Sequence, residues 1–343
     1  MQRLPNWARA LGPTLYAACI RESPADFVVT EILTIDFKDD GEHDWLWVEK
    51  TGANTQWVAG RLAAHAGVPV RDVGFAGLKD RHAITRQWFS IRRPAARGTD
   101  WEVFSADGVR ILEQHRHRRK LQRGTHDGNA FRIALRGGKV EARRDSIAAR
   151  LAAIDTGGVP NYFGAQRFGR DAANIEFSRA LFAGRRVSRA QRSIALSAAR
   201  ALIFNDIVDA RVRAATWNAI QPGELANLDG SGSVFAVDDV NAEIARRCAE
   251  LDIHPSGTLW GDGAPCTTQT VATLETAVAS AHEDLCDGLV RAGVKAATRP
   301  LRMRVHELSW DIDDDTLWLE FRLGRGSYAT AVLREVAELS QPS

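Results

Sequence analysis

Alternation of apolar and polar positions marks strands toward both ends of the chain, and a helical period takes over in its middle. Residues 14 to 50 read as strands. Asp26-Phe27-Val28-Val29-Thr30-Glu31-Ile32 is rich in β-formers, and further on Trp45, Trp47 and Glu49 share one face opposite Leu46 and Val48. Asn54 to Ala66 has a helical repeat, with Trp57, Val58, Leu62 and Ala66 on one face. Asn54 or Thr55 can cap it, and Gly67 with Pro69 ends it. Strands are predicted over 85–92, 101–104 and 109–116. Gly128-Asn129 reads as a turn that opens the alternating strand Ala130–Leu135. An amphipathic helix over 140–155 then runs into Gly157-Gly158-Val159-Pro160, the clearest domain boundary in the chain.

Beyond residue 170 the pattern is mainly helical. Ser188-Arg189-Ala190-Gln191 is a capping box, and Leu196, Ala199, Ile203, Ile207 and Ala210 form one stripe behind it. Helices are predicted near 239–251 and 282–293, after a glycine-rich link at 229–233. Pro255 to Gly261 reads as a turn packing Leu259 and Trp260. The tail predicts a hairpin of 301–307 with 317–323 around an acidic turn at 311–315, then a helix carrying Val332, Leu333 and Val336. These elements predict an α/β protein of the α+β type. Residues 1–155 and 303–343 would form one discontinuous domain around a mixed, largely antiparallel sheet, with a mainly helical domain inserted over 156–302.

Composition narrows the classes. At 343 residues the chain suits two domains, and 45% hydrophobic with 26% charged residues is the balance of a soluble globular protein. No apolar run approaches a membrane span, and Met1-Gln2-Arg3-Leu4-Pro5 lacks the apolar core of a signal peptide. Four scattered cysteines without a C-x-x-C pair suit reduced thiols in a cytoplasm. The net charge of +2 provides no global footprint for a nucleic acid. Charge is uneven, however: residues 110 to 126 are basic with Glu113 as the sole acid, while acid gathers at 311–315. No P-loop, nucleophile elbow, H-E-x-x-H or metal-ligand spacing occurs. Asp311-x-Asp313-x-Asp315 fails as a calcium loop, having Thr316 and Arg322 where Gly and Glu are needed.

The least ordinary stretch is Gly74 to Ile91. A turn punctuated by Gly74 and Gly77 delivers Lys79, Asp80, Arg81 and His82 in a row, with Arg86 close behind. Surrounding cations favour a charged carboxylate, and an ionised, positioned Asp is what covalent catalysis at a sugar carbon needs. The same cations could hold phosphates, or the run could be a solvated turn whose charges pair with each other.

The wording Ala76-Gly77-Leu78-Lys79-Asp80-Arg81-His82-Ala83-Ile84-Thr85-Arg86-Gln87-Trp88-Phe89-Ser90 resembles the signature of the TruD family of tRNA pseudouridine synthases. Five further stretches resemble that family in order: the segment Arg21 to Glu31, Gly128-Asn129-Ala130-Phe131, Asn161 to Gly169, Pro255 to Gly261, and Gly326-Ser327-Tyr328-Ala329-Thr330. The resemblance spans essentially the whole chain. It implies Asp80 as nucleophile, with Arg21 as the basic residue facing it where the family usually has Lys. It implies Phe27, Asn129, Phe131 and Tyr328 at the target nucleotide, Tyr328 standing where Phe is usual. Without it, Phe27 reads as a core aromatic and Asn129 as a turn residue. It further implies isomerisation of a uridine of tRNA, at position 13, to pseudouridine, by a cytoplasmic monomer with tRNA as partner, no obligate protein partner, no membrane, no cofactor and no metal. The basic run 115–123 and Arg167 are then candidates for phosphate contacts. The competing reading is an RNA-binding module without turnover.

Overall fold

The computed structural model describes residues 4–92 and 98–341. Met1–Arg3, the start of the segment read above for a signal peptide, lie outside the described residues. In chain order the first half holds β1 (Tyr16–Cys19), β2 (Phe27–Ile32), β3 (His43–Thr51), α1 (Thr55–Ala66), β4 (Val73–Gly74), β5 (Ile84–Arg92), β6 (Val109–His117), β7 (Gly128–Arg136) and α2 (Arg144–Gly157). Then come β8 (Val159–Pro160), α3 (Ala173–Phe182), α4 (Arg189–Arg213), β9 (Glu224–Leu228), β10 (Val234–Val237), α5 (Ala242–Ala249), β11 (Ile253–Leu259), α6 (Gln269–Ser280) and α7 (Glu283–Arg291). The chain continues through β12 (Ala297–Pro300), β13 (Arg302–Met303), β14 (His306–Asp313), β15 (Thr316–Gly324), α8 (Ala329–Leu333) and β16 (Ala337–Ser340). The fold class is α+β.

Two compact units divide the chain. The sheet unit comprises Leu15–Ile147, His306–Gly326 and Ala337–Ser343; the helical unit comprises Met1–Thr14, Ala148–Val305 and Ser327–Val336.

A ten-stranded sheet organises the sheet unit, in the order β14-β15-β7-β2-β5-β3-β6, with β1, β16 and β4 attached to its side. Most neighbours are antiparallel; β2 with β5 and β1 with β16 are parallel. Alternation along β3 buries Leu46 and Val48 against α1, whose Val58, Ala59, Leu62 and Ala63 form the facing stripe. The Asn54 side chain caps α1 by accepting from the Trp57 N–H, and Gly67 ends it in the left-handed conformation. Trp57 departs from the predicted stripe: it is exposed, with the Arg61 guanidinium over its ring.

In the sheet unit and its borders, several local expectations give way to tertiary demands. Residues 101–104 are not a strand; Trp101 packs with Phe104 and His65 and donates from its indole to Asp44. Gly128 and Asn129 are not a turn but the first residues of β7, paired to Leu323 and Gly324 of β15. A Cβ on Gly128 would strike the Leu323 carbonyl, so glycine is required there by close approach. The final hairpin is β14 with β15 turning at Asp314-Asp315, whereas Arg302–Met303 pairs with β8.

In the helical unit the capping box of Ser188 and Gln191 opens α4, which buries Ala199, Ile203, Phe204 and Ile207 in the unit's main core. A four-stranded sheet, β10-β9-β11-β12, accompanies the helices. Its central strand β11 takes up Pro255 and Gly257, which had suggested a turn. The space a side chain would need at Gly257 is filled by Leu301, Phe204 and Ile207.

Candidate active site

Register across the sheet unit gathers the predicted residues on one face. Lys50 of β3 lies opposite Thr85 of β5, Thr85 beside Val29 of β2, Val29 beside Phe131 of β7, and Phe131 beside Phe321 of β15. One step along, Glu31 pairs with Asn129 and Asn129 with Leu323; one step back, Phe27 pairs with Ile133. Because side chains of paired residues project together, Phe27, Glu31, Lys50, Asn129 and Phe131 share this face. Phe27 and Phe131 are buried and meet edge to face at 6.4 Å, while Phe131 stacks on Phe321 at 5.4 Å.

The Gly77–His82 turn is tied to the same face by polar groups of α1, β2 and β5. Thr55 accepts from the Lys79 N–H at 2.9 Å and donates to Gln87 Oε1 at 2.9 Å. Gln87 in turn donates to the Gly77 carbonyl at 3.1 Å. The Lys79 ammonium reaches Glu31 at 2.8 Å, both side chains being almost fully enclosed. Glu31 also accepts from the Trp88 N–H.

Asp80 stands at the end of this scaffold. Arg21 Nη2 meets its Oδ2 at 2.6 Å and the His82 N–H donates to its Oδ1 at 3.0 Å. The two side chains keep 16% and 14% of their surface, so the pair is accessible from outside. Arg21 spreads over the Phe27 ring at 4.2 Å, which takes the face of that aromatic. Its backbone is left-handed at φ 62°, a conformation that costs a non-glycine residue free energy and is typical of functional loops.

The cationic side chains next to Asp80 in sequence bond elsewhere. Arg81 donates to the Gly52 carbonyl, Arg86 pairs with Glu49, and Lys79 with Glu31. The cation beneath Asp80 is Lys50. It is completely buried, and its ammonium donates to the Asp80 carbonyl at 2.7 Å and to the Ala53 carbonyl at 2.8 Å. Burial pushes its pKa down to about 8, with Lys79 adding to the fall and the Asp80 charge opposing it. Sequence reading missed Lys50, although its phase with Leu46 and Val48 was the available signal. His126 was missed too. It lies near Gly77 and Lys79, burial followed by Lys79 pushes its pKa down against Glu31, and its Nδ1 is enclosed without a partner among the described residues.

Asn129 leaves its side-chain oxygen enclosed and unpartnered among the described residues, on the face that carries Phe131. Tyr328 belongs to the helical unit, where Arg167 donates to its hydroxyl from Nη2 at 2.6 Å and Nε at 3.1 Å. Phe163 lies edge to face with Tyr328 at 5.9 Å. In the basic run, Arg118 pairs with Asp40, and Arg123 lies over Phe75 at 3.7 Å. Among the described residues no group of His, Cys, Asp or Glu could hold a metal ion, and no helix is long and apolar enough to cross a membrane.

The family model of tRNA pseudouridine synthase D (TruD) matches residues 16–176 and 176–336. This chain belongs to the TruD family. A TruD relative, the tRNA pseudouridine synthase D of Methylococcus capsulatus, is 44% identical over 96% of this chain and 94% of its own length. That of Aeromonas salmonicida is 42% identical, over 94% and 91%. A crystal structure of a TruD candidate from Methanosarcina mazei superposes with a TM-score of 0.71 over 98% of this chain and 99% of that one. At 19% identity it speaks for the fold alone.

Proposed function

We propose that this protein, as a TruD tRNA pseudouridine synthase, isomerises uridine 13 of tRNA to pseudouridine with Asp80 as the nucleophile, and that the sheet unit is its catalytic domain. The observation that carries the proposal is the Arg21–Asp80 pair, accessible at the edge of an aromatic floor and built from the turn that matches the family signature. One carboxylate oxygen is held by Arg21 and the other by a main-chain N–H, so the group is fixed in direction before substrate arrives.

A uridine leaves its stack and packs against Phe131, with Phe27 and the Arg21 guanidinium that covers it nearby. Asn129 bonds the uracil edge with its side-chain oxygen, unpartnered among the described residues, which accepts from a ring N–H; Tyr328 is carried as a substrate contact by the family motif alone. Asp80 attacks C1′; the C1′–N1 bond breaks and its electron pair stays on the uracil. The base turns, C5 attacks C1′, the C1′–O bond returns its pair to Asp80, and the proton that C5 loses is balanced by the one that N1 gains, so the product is an isomer of the substrate. Arg21 neutralises the carboxylate both before attack and on departure. A route through C2′ proton loss to a glycal uses the same carboxylate as base.

The test is incubation with unmodified tRNA and mapping of pseudouridine at nucleotide resolution, for the native chain and for Asp80→Asn. Product at position 13 with the native chain alone, and unchanged RNA binding by Asp80→Asn, is expected. Product from Asp80→Asn would remove the nucleophile assignment. No product from either would leave a binding module.

A further inference from the structure

Lys50 is hard to explain as architecture. It ends the inward-facing series Leu46, Val48, Lys50 on β3, where Leu46 and Val48 are fully buried beneath α1. An enclosed ammonium carries a large desolvation cost unless an anion meets it, and a methionine would fill similar space without that cost. No carboxylate lies within ion-pair distance of Lys50 among the described residues. Its two partners are main-chain carbonyls, and one of them is the carbonyl of Asp80 itself.

We infer that Lys50, in its charged form, is a positioning residue for the reaction: it clamps the main chain of Asp80 to that of Ala53 and fixes where the carboxylate points. The inference rests on the reading of Asp80 as nucleophile.

The groups facing Lys50 sharpen the idea. From the turn come Asp80, whose charge favours the ammonium, and Lys79, whose charge opposes it. Beyond them Arg21 partners Asp80 and Glu31 partners Lys79. From β5 the registered neighbour is Thr85, uncharged, with its hydroxyl enclosed and unpartnered among the described residues. The carboxylate of Asp80 is therefore the anion that sustains the charge on Lys50. When Asp80 forms its bond to C1′ that negative charge disappears, and Lys50 is left buried without a counter-charge. Expulsion of the carboxylate in the second half of the reaction restores the pair. The same lysine thus holds the nucleophile in place and favours its departure.

The decisive measurement is the single-turnover rate at saturating tRNA from about pH 6.5 to about pH 9. The native enzyme is expected to lose rate about tenfold per unit above about pH 8, as Lys50 gives up its proton. Lys50→Met is expected to bind tRNA within about twofold of the native chain, to react about 100-fold more slowly near neutrality, and to lack the high-pH limb. Lys50→Arg, charged throughout, is expected to recover part of the rate and keep it flat with pH. A purely structural lysine would move none of these profiles. A native profile flat to about pH 9, or a Lys50→Met variant with native rate and native limb, overturns the inference. Should Lys50→Met fail to fold, the native profile decides alone. If Asp80→Asn is inactive while Lys50→Met behaves as native, only the role of Lys50 falls. If Asp80→Asn makes product, the nucleophile assignment falls first.

Discussion

Each unit encloses cations, and Arg211 of one and Lys50 of the other are treated differently. In the helical unit Arg211 is buried on α4 and meets Glu224 at 2.8 Å, while the Thr216 and Ala219 carbonyls take further N–H groups. Even so, burial raises the Glu224 pKa to about 6 against the pull of Arg211. In the sheet unit Lys50 is just as enclosed, but among the described residues it bonds only carbonyls, and the charge that steadies it sits on the accessible Asp80. A buried charge that closes on a buried partner holds a fold together; one whose balance depends on an exposed reactive group belongs to a site.

The largest effect that would sharpen this contrast is on chemistry. Asp80→Asn should cost more than about 10³-fold in rate with thermal stability close to native, measured by pseudouridine formation and a melting curve. The converse holds for Arg211→Met, which strands Glu224 in the core. It should lower stability by about 3–5 kcal/mol by denaturant titration while leaving the rate of folded enzyme unchanged. A large rate loss in Arg211→Met would break the comparison.

Smaller effects grade it further. Asn129→Ala should slow product formation by about 10- to 100-fold, with a melting temperature that barely moves, since its oxygen has no partner to lose among the described residues. Stability should rise with pH between about 8 and about 9, because the unfolded chain still binds the proton that folded Lys50 has released. Above that window the buried Cys286 thiol, pushed up to about 12, pulls the other way. The slope should vanish in Lys50→Met; persistence there would assign it to another group. Least of all, Tyr328→Phe should cost no more than about 1 kcal/mol of stability, since it removes one hydroxyl bonded to Arg167.

What could be read ahead of the structure was what depends on near neighbours. The caps of α1 and α4 and the alternation of β3 follow from residues within a turn or two, and they appear as expected. The reading failed where a distant segment decides. Gly128-Asn129 resembles a turn until β15, arriving nearly two hundred positions later, claims it as a strand. The G-L-K-D run suggested that Asp80 would be served by adjacent cations, yet Lys79, Arg81 and Arg86 each face elsewhere; Arg21, which the family resemblance had implied, and Lys50, which it had not, approach from other elements. Phe27, Asn129 and Phe131 were named from family resemblance; only strand register explains why they share a face.

That late arrival of β15 has a consequence for synthesis. As the chain leaves the ribosome, β7 can pair with β2 at once, but its other edge stays open while residues 148–305 of the helical unit are made. A nascent chain in that interval presents an unpaired strand ending in Phe131, Ile133 and Leu135, the kind of edge that recruits other chains. Premature termination before residue 316 should therefore yield aggregates rather than a soluble fragment. The strand that carries Asn129 and Phe131 would keep an open edge until β15 emerges.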